Sequence, residues 1–388
     1  MSGSTGSEIL IDALENGEVL EGRYSDLRLI NGRGDARRGV FSLVFVAWDR
    51  IEEQHVAVKF FDPDVTTNSY RLDGFYREHA LLKTLVNKKR CLQVMSGLKD
   101  YSLAIPSAKF SLPCKYFVVE WLEFDIESFF WSDDRLSPEQ ALRIFHDLVL
   151  SVEALHRHDI AHRDLKPDNL RARNAALKRI IVAIDLGTAA RLDSTALKDE
   201  YDKPVGAKGY APVEAFVGFA GDREIGEKAD AFALGCMLWE LFNEGFFFKS
   251  GLLAHNTQLS AIYQAIHMEV HGLGGATFPN LNRAIDKYSH AVNGVRLTEP
   301  DCTVPPGVAP LVEEVIQSLT NIDYRKRMAL DVVRSRVLSA IRVVANERLY
   351  QKRLAERRER RENRRIKNEM KAARLREAMD CRAKDAIL

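Results

Sequence analysis

The sequence predicts an α+β protein with a charged helical extension, and three observations carry that expectation. Between Leu27 and Phe61 short apolar stretches alternate with polar turns, the pattern of antiparallel strands. Farther on, the apolar residues recur at helical spacing, most clearly from Pro138 to His156, so the longer second part of the chain reads as mostly helical. The end of the chain loses its apolar residues and becomes a run of Arg, Lys and Glu, the composition of a solvated helix. The expected boundaries are a tail over 1–22, a domain over 23–335 whose strand-rich part is at about 23–120, and a basic extension over 336–388.

Composition supports a large core. With 388 residues, 46% of them apolar and 29% charged, the chain can bury one large core and still carry an accessory segment. The longest apolar run, Ala231 to Phe242, is well short of the ~20 residues a membrane span needs, so it reads as a buried helix and no membrane association is expected. No basic flank or apolar run marks the first residues as a targeting signal, and five scattered cysteines without a C-x-x-C pair suit a reducing compartment; a cytoplasmic address is the expectation.

In chain order, Met1 to Ser7 reads as unstructured and Glu8 to Leu20 as a short helix or strap against the small lobe. Strands are expected at Leu27–Ile30, Phe41–Trp48 and His55–Phe61, with turns over 31–39 and 49–54. Tyr70 to Val86 is a helix with Phe75, Leu82 and Leu85 among its apolar positions, and Glu78 is the acidic residue of its interior. Tyr116 to Glu120 is a core strand. Ser137-Pro138-Glu139-Gln140 opens the next helix with an N-cap serine, proline at the first position and a capping-box glutamine. A buried helix is expected from Ala229 to Phe242, and the long stretch from Asn243 to Pro310 reads as further helices plus an insertion, with Phe246-Phe247-Phe248 in the core.

The chemistry concentrates in His162-Arg163-Asp164-Leu165-Lys166-Pro167-Asp168-Asn169, followed by an apolar strand ending in Asp185-Leu186-Gly187. Phosphoryl transfer needs a carboxylate beside the attacking hydroxyl, a cation on the migrating phosphate and oxygen ligands for magnesium. Asp164 can orient the hydroxyl and take its proton, Lys166 can neutralise phosphate, and Asn169 and Asp185 offer oxygens to the metal. Taken together these eight residues resemble the catalytic loop of protein kinases, with Asp185-Leu186-Gly187 standing where that family has D-F-G; Lys166 is the form typical of the serine/threonine branch.

The resemblance extends from about Arg23 to Ser335 and implies a bilobal protein kinase fold. Val56-Ala57-Val58-Lys59 resembles the V-A-I-K strand, whose lysine reaches the nucleotide phosphates and pairs with a helix glutamate, here Glu78. Counting back from Val44, the family's glycine frame falls on Arg37, Gly39 and Ser42, so only the middle position is glycine; Arg33, Arg37 and Arg38 give the loop positive charge. Val119 takes the gatekeeper position, and main-chain groups of Glu120 and Leu122 the adenine edge. The implied ATP and Mg2+ site therefore comprises Gly39, Ser42, Val44, Ala57, Lys59, Val119, Glu120, Leu122, Asn169 and Asp185, with Asn169 and Asp185 as metal ligands and Asp164, Lys166, Lys59 and Glu78 as catalytic residues. Glu214 is expected to pair with Arg327 and Asp230 to hold the catalytic-loop backbone. Two departures weaken the substrate-docking floor: Gly206-Ala207 replaces G-T, and Tyr210-Ala211-Pro212-Val213-Glu214 shifts the proline of Y-x-A-P-E. Ser194 or Thr195 is the expected phosphorylation site in the activation segment, with Arg163 as its receiver.

The function implied by this resemblance is that of an ATP-dependent serine/threonine kinase acting on protein substrates and on itself. A pseudokinase scaffold, in which the fold serves docking, is the alternative that the degenerate glycine loop favours. From Glu347 to Leu388 there are fifteen Lys or Arg against eight Asp or Glu, whereas the whole chain has a net charge of +1, so the extension is the basic part. Glu356 to Arg365 contains no apolar residue, which rules out a continuous coiled-coil seam. The preferred reading of 336–388 is a solvated helix open to a protein partner or a second copy, with nucleic acid as the other candidate.

Overall fold

Alternation along one strand organises the small lobe. In β3 (Gln54–Phe61) Val56, Val58 and Phe60 point to one face of the sheet, and Ala57, Lys59 and Phe61 to the other. The computed structural model describes the chain except residues 1–4, 18, 31–41, 66–68, 106–109, 132–135, 176–177, 193–205, 208, 254–257, 273–275, 292–296, 298–303 and 386–388. Strands β1 (Tyr24–Leu29), β2 (Ser42–Asp49), β3, β4 (Lys99–Ala104) and β5 (Ser111–Glu120) form an antiparallel sheet in the order β1-β2-β3-β5-β4.

The outer face of this sheet is covered by α1 (Gly6–Glu15). Leu10, Ile11 and Leu14 are fully buried against Phe45, Val58, Phe60 and Tyr116, and burial of each such side chain contributes about 1.5–3 kcal/mol. The chain is ordered earlier than expected. Thr5 caps the helix in a capping box with Glu8, and Ser7 is buried, its hydroxyl on Asp62 and its N–H on the Asp64 carboxylate at 3.2 Å. Composition alone reads those residues as a free tail; the Thr5/Glu8 pair is the signal that outweighs it.

The inner face packs on α2 (Ser69–Thr84). Phe75, Leu82 and Leu85 are buried and Glu78 lies on the same helical line, so the helix carries a carboxylate inward with its apolar residues. Below it, α4 (Pro138–His156), which follows the short α3 (Ser128–Trp131), starts as expected: Ser137 accepts from the Gln140 N–H at 3.3 Å while Gln140 takes the Ser137 N–H at 3.0 Å. Small strand pairs frame the loop between the lobes: β6 (Phe124–Asp125) with β8 (Leu170–Ala175) and β9 (Lys178–Ala183), and β7 (Ile160–Ala161) with β10 (Ala190–Arg191).

After the short α5 (Val213–Phe216), the buried helix α6 spans Arg223–Glu240, starting before the expected Ala229. Its first turns are polar and show no apolar period; the N-cap Asp222, accepting from the Glu224 N–H at 2.9 Å, starts it. Helices α7 (Leu259–Gly272) and α8 (Phe278–Tyr288) build a separate core around Ile266, Val270, Leu281 and Ile285, so much of the stretch from Asn243 to Pro310 is helical large lobe. The three phenylalanines divide: Phe247 is fully buried against Trp239, Phe248 is half-buried and Phe246 is 50% exposed. Helices α9 (Ala309–Leu319) and α10 (Leu330–Asp385) complete the lobe. Val333, Val337, Ala340, Ile341 and Val344 bury the start of α10 in the main core, and Arg348 still reaches Glu139 of α4 at 3.0 Å. The helix is 56 residues long, roughly 84 Å at 1.5 Å per residue. Among the described residues no helix is long and apolar enough to cross a membrane.

Candidate active site

Lys59 enters the cleft because strand alternation leaves it no other face. Its Nζ donates to Glu78 Oε1 and Oε2 at 2.8 and 2.6 Å and to Asp185 Oδ1 at 3.0 Å, so one ammonium ties β3, α2 and the end of β9 together. Burial works against that charge, but Asp185 and Glu78 outweigh it and hold the Lys59 pKa up. The same ammonium holds the Asp185 carboxyl below the usual range despite burial. Asp185 has φ 62°, a left-handed backbone, and its side chain is 45% exposed, which leaves it open to a cation. Helix α2 reaches this turn through Gly74, where a Cβ would stand 3.0 Å from the Gly187 carbonyl oxygen. Arg77 donates to that carbonyl at 3.1 Å. A mid-helix glycine reads in sequence only as a weak helix position, so its close-approach role is not legible there.

On the opposite side, the loop from His162 to Asn169 hangs on Asp230 of α6. One carboxylate oxygen accepts from the His162 N–H and the other from the Arg163 N–H, both at 2.8 Å, and His156 Nε2 lies 2.9 Å away. Asp230 is 1% exposed, and those partners compensate its burial. They also hold Arg163 at φ 70°, a conformation costly for a residue with a Cβ. The ring of His162 is fully buried, with Nε2 2.9 Å from the Ile184 carbonyl oxygen and Nδ1 accepting from the Asp164 N–H at 3.3 Å; this assigns the Nε2–H tautomer and joins the loop to the strand before Asp185.

Asn169 donates its amide to the Asp164 carbonyl at 2.8 Å and to Asp164 Oδ2 at 3.1 Å, which leaves its own amide oxygen for another ligand. Lys166 Nζ lies 3.9 Å from Asp164 and from Asp168. Burial pushes the Asp164 carboxyl up, against the pull of Lys166, so it is more basic than an exposed aspartate. The carboxylate of Asp185 and the amide oxygen of Asn169 are hard donors of the kind magnesium takes alongside substrate phosphates.

The apolar part of the site lies at the lobe junction. Ala57 pairs with Val119 across β3 and β5, Leu122 is buried beside them, and Val44 packs on the same core from β2. The Glu120 side chain is committed elsewhere: it accepts from the Gln93 N–H at 2.8 Å and bonds Arg173, while the Glu120 N–H goes to the Gln93 carbonyl at 2.9 Å. Gln93 and Arg173 are junction residues that no local pattern announces. Ser42 opens β2 and is 8% exposed; Gly39, Arg33, Arg37 and Arg38 lie outside the described residues, as do Ser194 and Thr195.

Two buried polar pairs support the large-lobe floor. Arg327 bonds both oxygens of Glu214, with each side chain fully buried, and donates to the Asn321 and Lys228 carbonyls at 2.8 Å each. Tyr210 donates from its hydroxyl to Glu240 Oε2 at 2.7 Å, and Glu240 Oε1 accepts from the Phe247 N–H at 3.0 Å. Tyr210 therefore keeps an anchor in α6 although the proline after it is displaced. Gly206, at φ 112°, passes where a Cβ would meet the Arg163 carbonyl oxygen at 3.1 Å.

Residues 37–339 match the family model described as protein kinase domain. Over 227 residues the chain is 27% identical to the serine/threonine-protein kinase PrkC of Bacillus subtilis, covering 58% of this chain and 31% of the relative. It is 26% identical over 257 residues to the serine/threonine-protein kinase PknD of Chlamydia trachomatis, covering 58% of this chain and 25% of that protein, and 26% identical over 230 residues to the CBL-interacting protein kinase 11 of rice, covering 59% and 41%. The chain thus spans about a quarter to two fifths of the length of these relatives. Since the match takes in both lobes, from β2 to the first turns of α10, the chain belongs to the protein kinase domain family.

Proposed function

We propose that this chain is a serine/threonine protein kinase that transfers the γ-phosphate of ATP to serine or threonine hydroxyls of protein substrates, its own included. The observation that carries the reading is the Lys59 ammonium bound by Glu78 and Asp185 in a cleft whose other wall presents Asp164, Lys166 and Asn169. In this reading Lys59 and Lys166 bind nucleotide phosphates. Val44, Ala57, Val119 and Leu122 enclose the base, and the main chain of Glu120 and Leu122 meets its edge. Asn169 and Asp185 would hold Mg2+, which supplies positive charge to the phosphate oxygens. Asp164 orients the acceptor hydroxyl and takes its proton as the new oxygen–phosphorus bond forms; the bond from the γ-phosphorus to the β-phosphate breaks and ADP leaves.

The test is incubation of the purified chain with magnesium and γ-labelled ATP, alone and with a basic acceptor protein, beside Asp164→Ala. Label on serine or threonine that falls at least ~100-fold in the variant, with nucleotide binding retained, is the expected result. Near-normal transfer by Asp164→Ala overturns the assignment. Bound nucleotide without any transfer by the unaltered chain would move the weight to a docking role. Phosphopeptide mapping of the same reaction reports whether Ser194 or Thr195 is modified.

A further inference from the structure

Beyond Arg348 the helix α10 leaves the core, and the described side chains from 351 to 370 are exposed on all sides. Its charges are not distributed evenly. Arg353, Arg357, Arg360, Arg364 and Lys367 follow one another at steps of four, three, four and three residues, which on an α-helix places them along one line. Lys371 and Arg374 continue the spacing in sequence. Glu359, Glu362 and Glu369 fall on the far side, where Arg365 pairs with Glu362 at 2.9 Å and with Glu369 at 3.4 Å; of the glutamates from 356 to 369, only Glu356 borders the basic line. Neighbouring cations at these spacings repel and weaken the helix. A stripe of this kind is a cost to the free chain that a line of anions removes.

We infer that this stripe is a binding surface for the phosphate backbone of duplex DNA. Five cations over about 21 Å of helix give one charge every ~5 Å, a density of the same order as that of a DNA strand, with a phosphate every ~3.4 Å of axis. Four of the five are arginines, whose planar forks suit phosphate oxygens. A free helix about 10–12 Å across is admitted by the major groove of B-DNA, about 12 Å wide, whereas the deep and narrow groove of an RNA duplex excludes it. The alternatives lack their requirements on this helix. A membrane-surface helix needs an apolar face and a coiled coil an apolar seam, and no apolar residue occurs from Glu356 to Arg365.

The experiment is fluorescence anisotropy of the full chain with a labelled DNA duplex of about two helical turns, across a salt series. The expected slope of log K against log salt is about −4.5 for five phosphates. In the variant R353Q/R357Q/R360Q/R364Q/K367Q, in which glutamine preserves helix propensity, binding at ~0.1 M salt falls at least ~100-fold and the slope shrinks to about zero. A control, R358Q/R361Q/R365Q, removes cations from the other faces and retains most of the affinity; circular dichroism checks that both variants keep their helix content. Affinity left intact by the stripe variant, a control loss as large per charge, or equal binding of an RNA duplex would each overturn the proposal.

Discussion

The two walls of the cleft are positioned by different forces. On the large-lobe side the loop from His162 to Asn169 is fixed through main-chain N–H groups that end on one buried carboxylate, Asp230, and the floor beneath it rests on the fully buried Glu214–Arg327 pair. On the small-lobe side Lys59 is held by Glu78 and by Asp185, whose side chain is 45% exposed. Contacts of the first kind are satisfied within the protein and have nothing to exchange with a ligand. Those of the second are charges that, in the proposed function, a nucleotide phosphate or a metal ion enters and rearranges. One wall is therefore built for permanence and the other for adjustment, and substitutions on the two sides should fail in different ways.

The largest effect belongs to Arg327→Met. It leaves Glu214 buried without its cation, a loss of about 3–5 kcal/mol of stability, read as a lowered denaturation midpoint in urea. A loss below about 1 kcal/mol would mean that the pair is not a foundation of the large lobe. Glu78→Gln should do the reverse. Lys59 keeps Asp185, so the urea midpoint moves much less than in Arg327→Met, while phosphoryl transfer falls about 10–100-fold, or roughly 1.4–2.7 kcal/mol in the barrier. Equal destabilisation by the two variants would erase the distinction between the walls.

Much of this division is legible in the sequence, because chemistry and periodicity coincide in the motifs. Lys59 can be aimed at the cleft from strand alternation, Glu78 from its place on the apolar line of α2, and the span of α4 from its capping box. The features that escape depend on contacts between distant segments. Gly74 is informative only because Gly187 lies against it, and Gln93 and Arg173 matter only because both meet Glu120. The early start of α6 and the ordered Thr5 to Glu8 turn are hidden for a different reason: polar composition masks a local cap. The basic line along α10 lies in the sequence throughout, but a charge count conceals it; the helix makes it visible by giving each residue a side.

The smallest of these effects tests whether the permanent wall carries a titratable weakness. Glu240 is 4% exposed, and burial pushes its pKa up to about 7, against 4.5 for the free side chain, despite hydrogen bonds from the Phe247 N–H and the Tyr210 hydroxyl. A carboxyl raised in the folded state binds its proton there while the unfolded chain has released it. Its stabilising contribution is thus complete below pH 4.5 and is lost as pH rises through about 7. Between about pH 5.5 and 7 the unaltered chain should lose about 1–2 kcal/mol more than Glu240→Gln, which cannot ionise. Urea midpoints of the two proteins at both pH values measure this. Parallel slopes would show that Tyr210 and Phe247 hold the carboxylate as readily as the acid, and the wall would then be permanent across that range; a flatter slope in the variant would locate an adjustable point under the Tyr210 anchor.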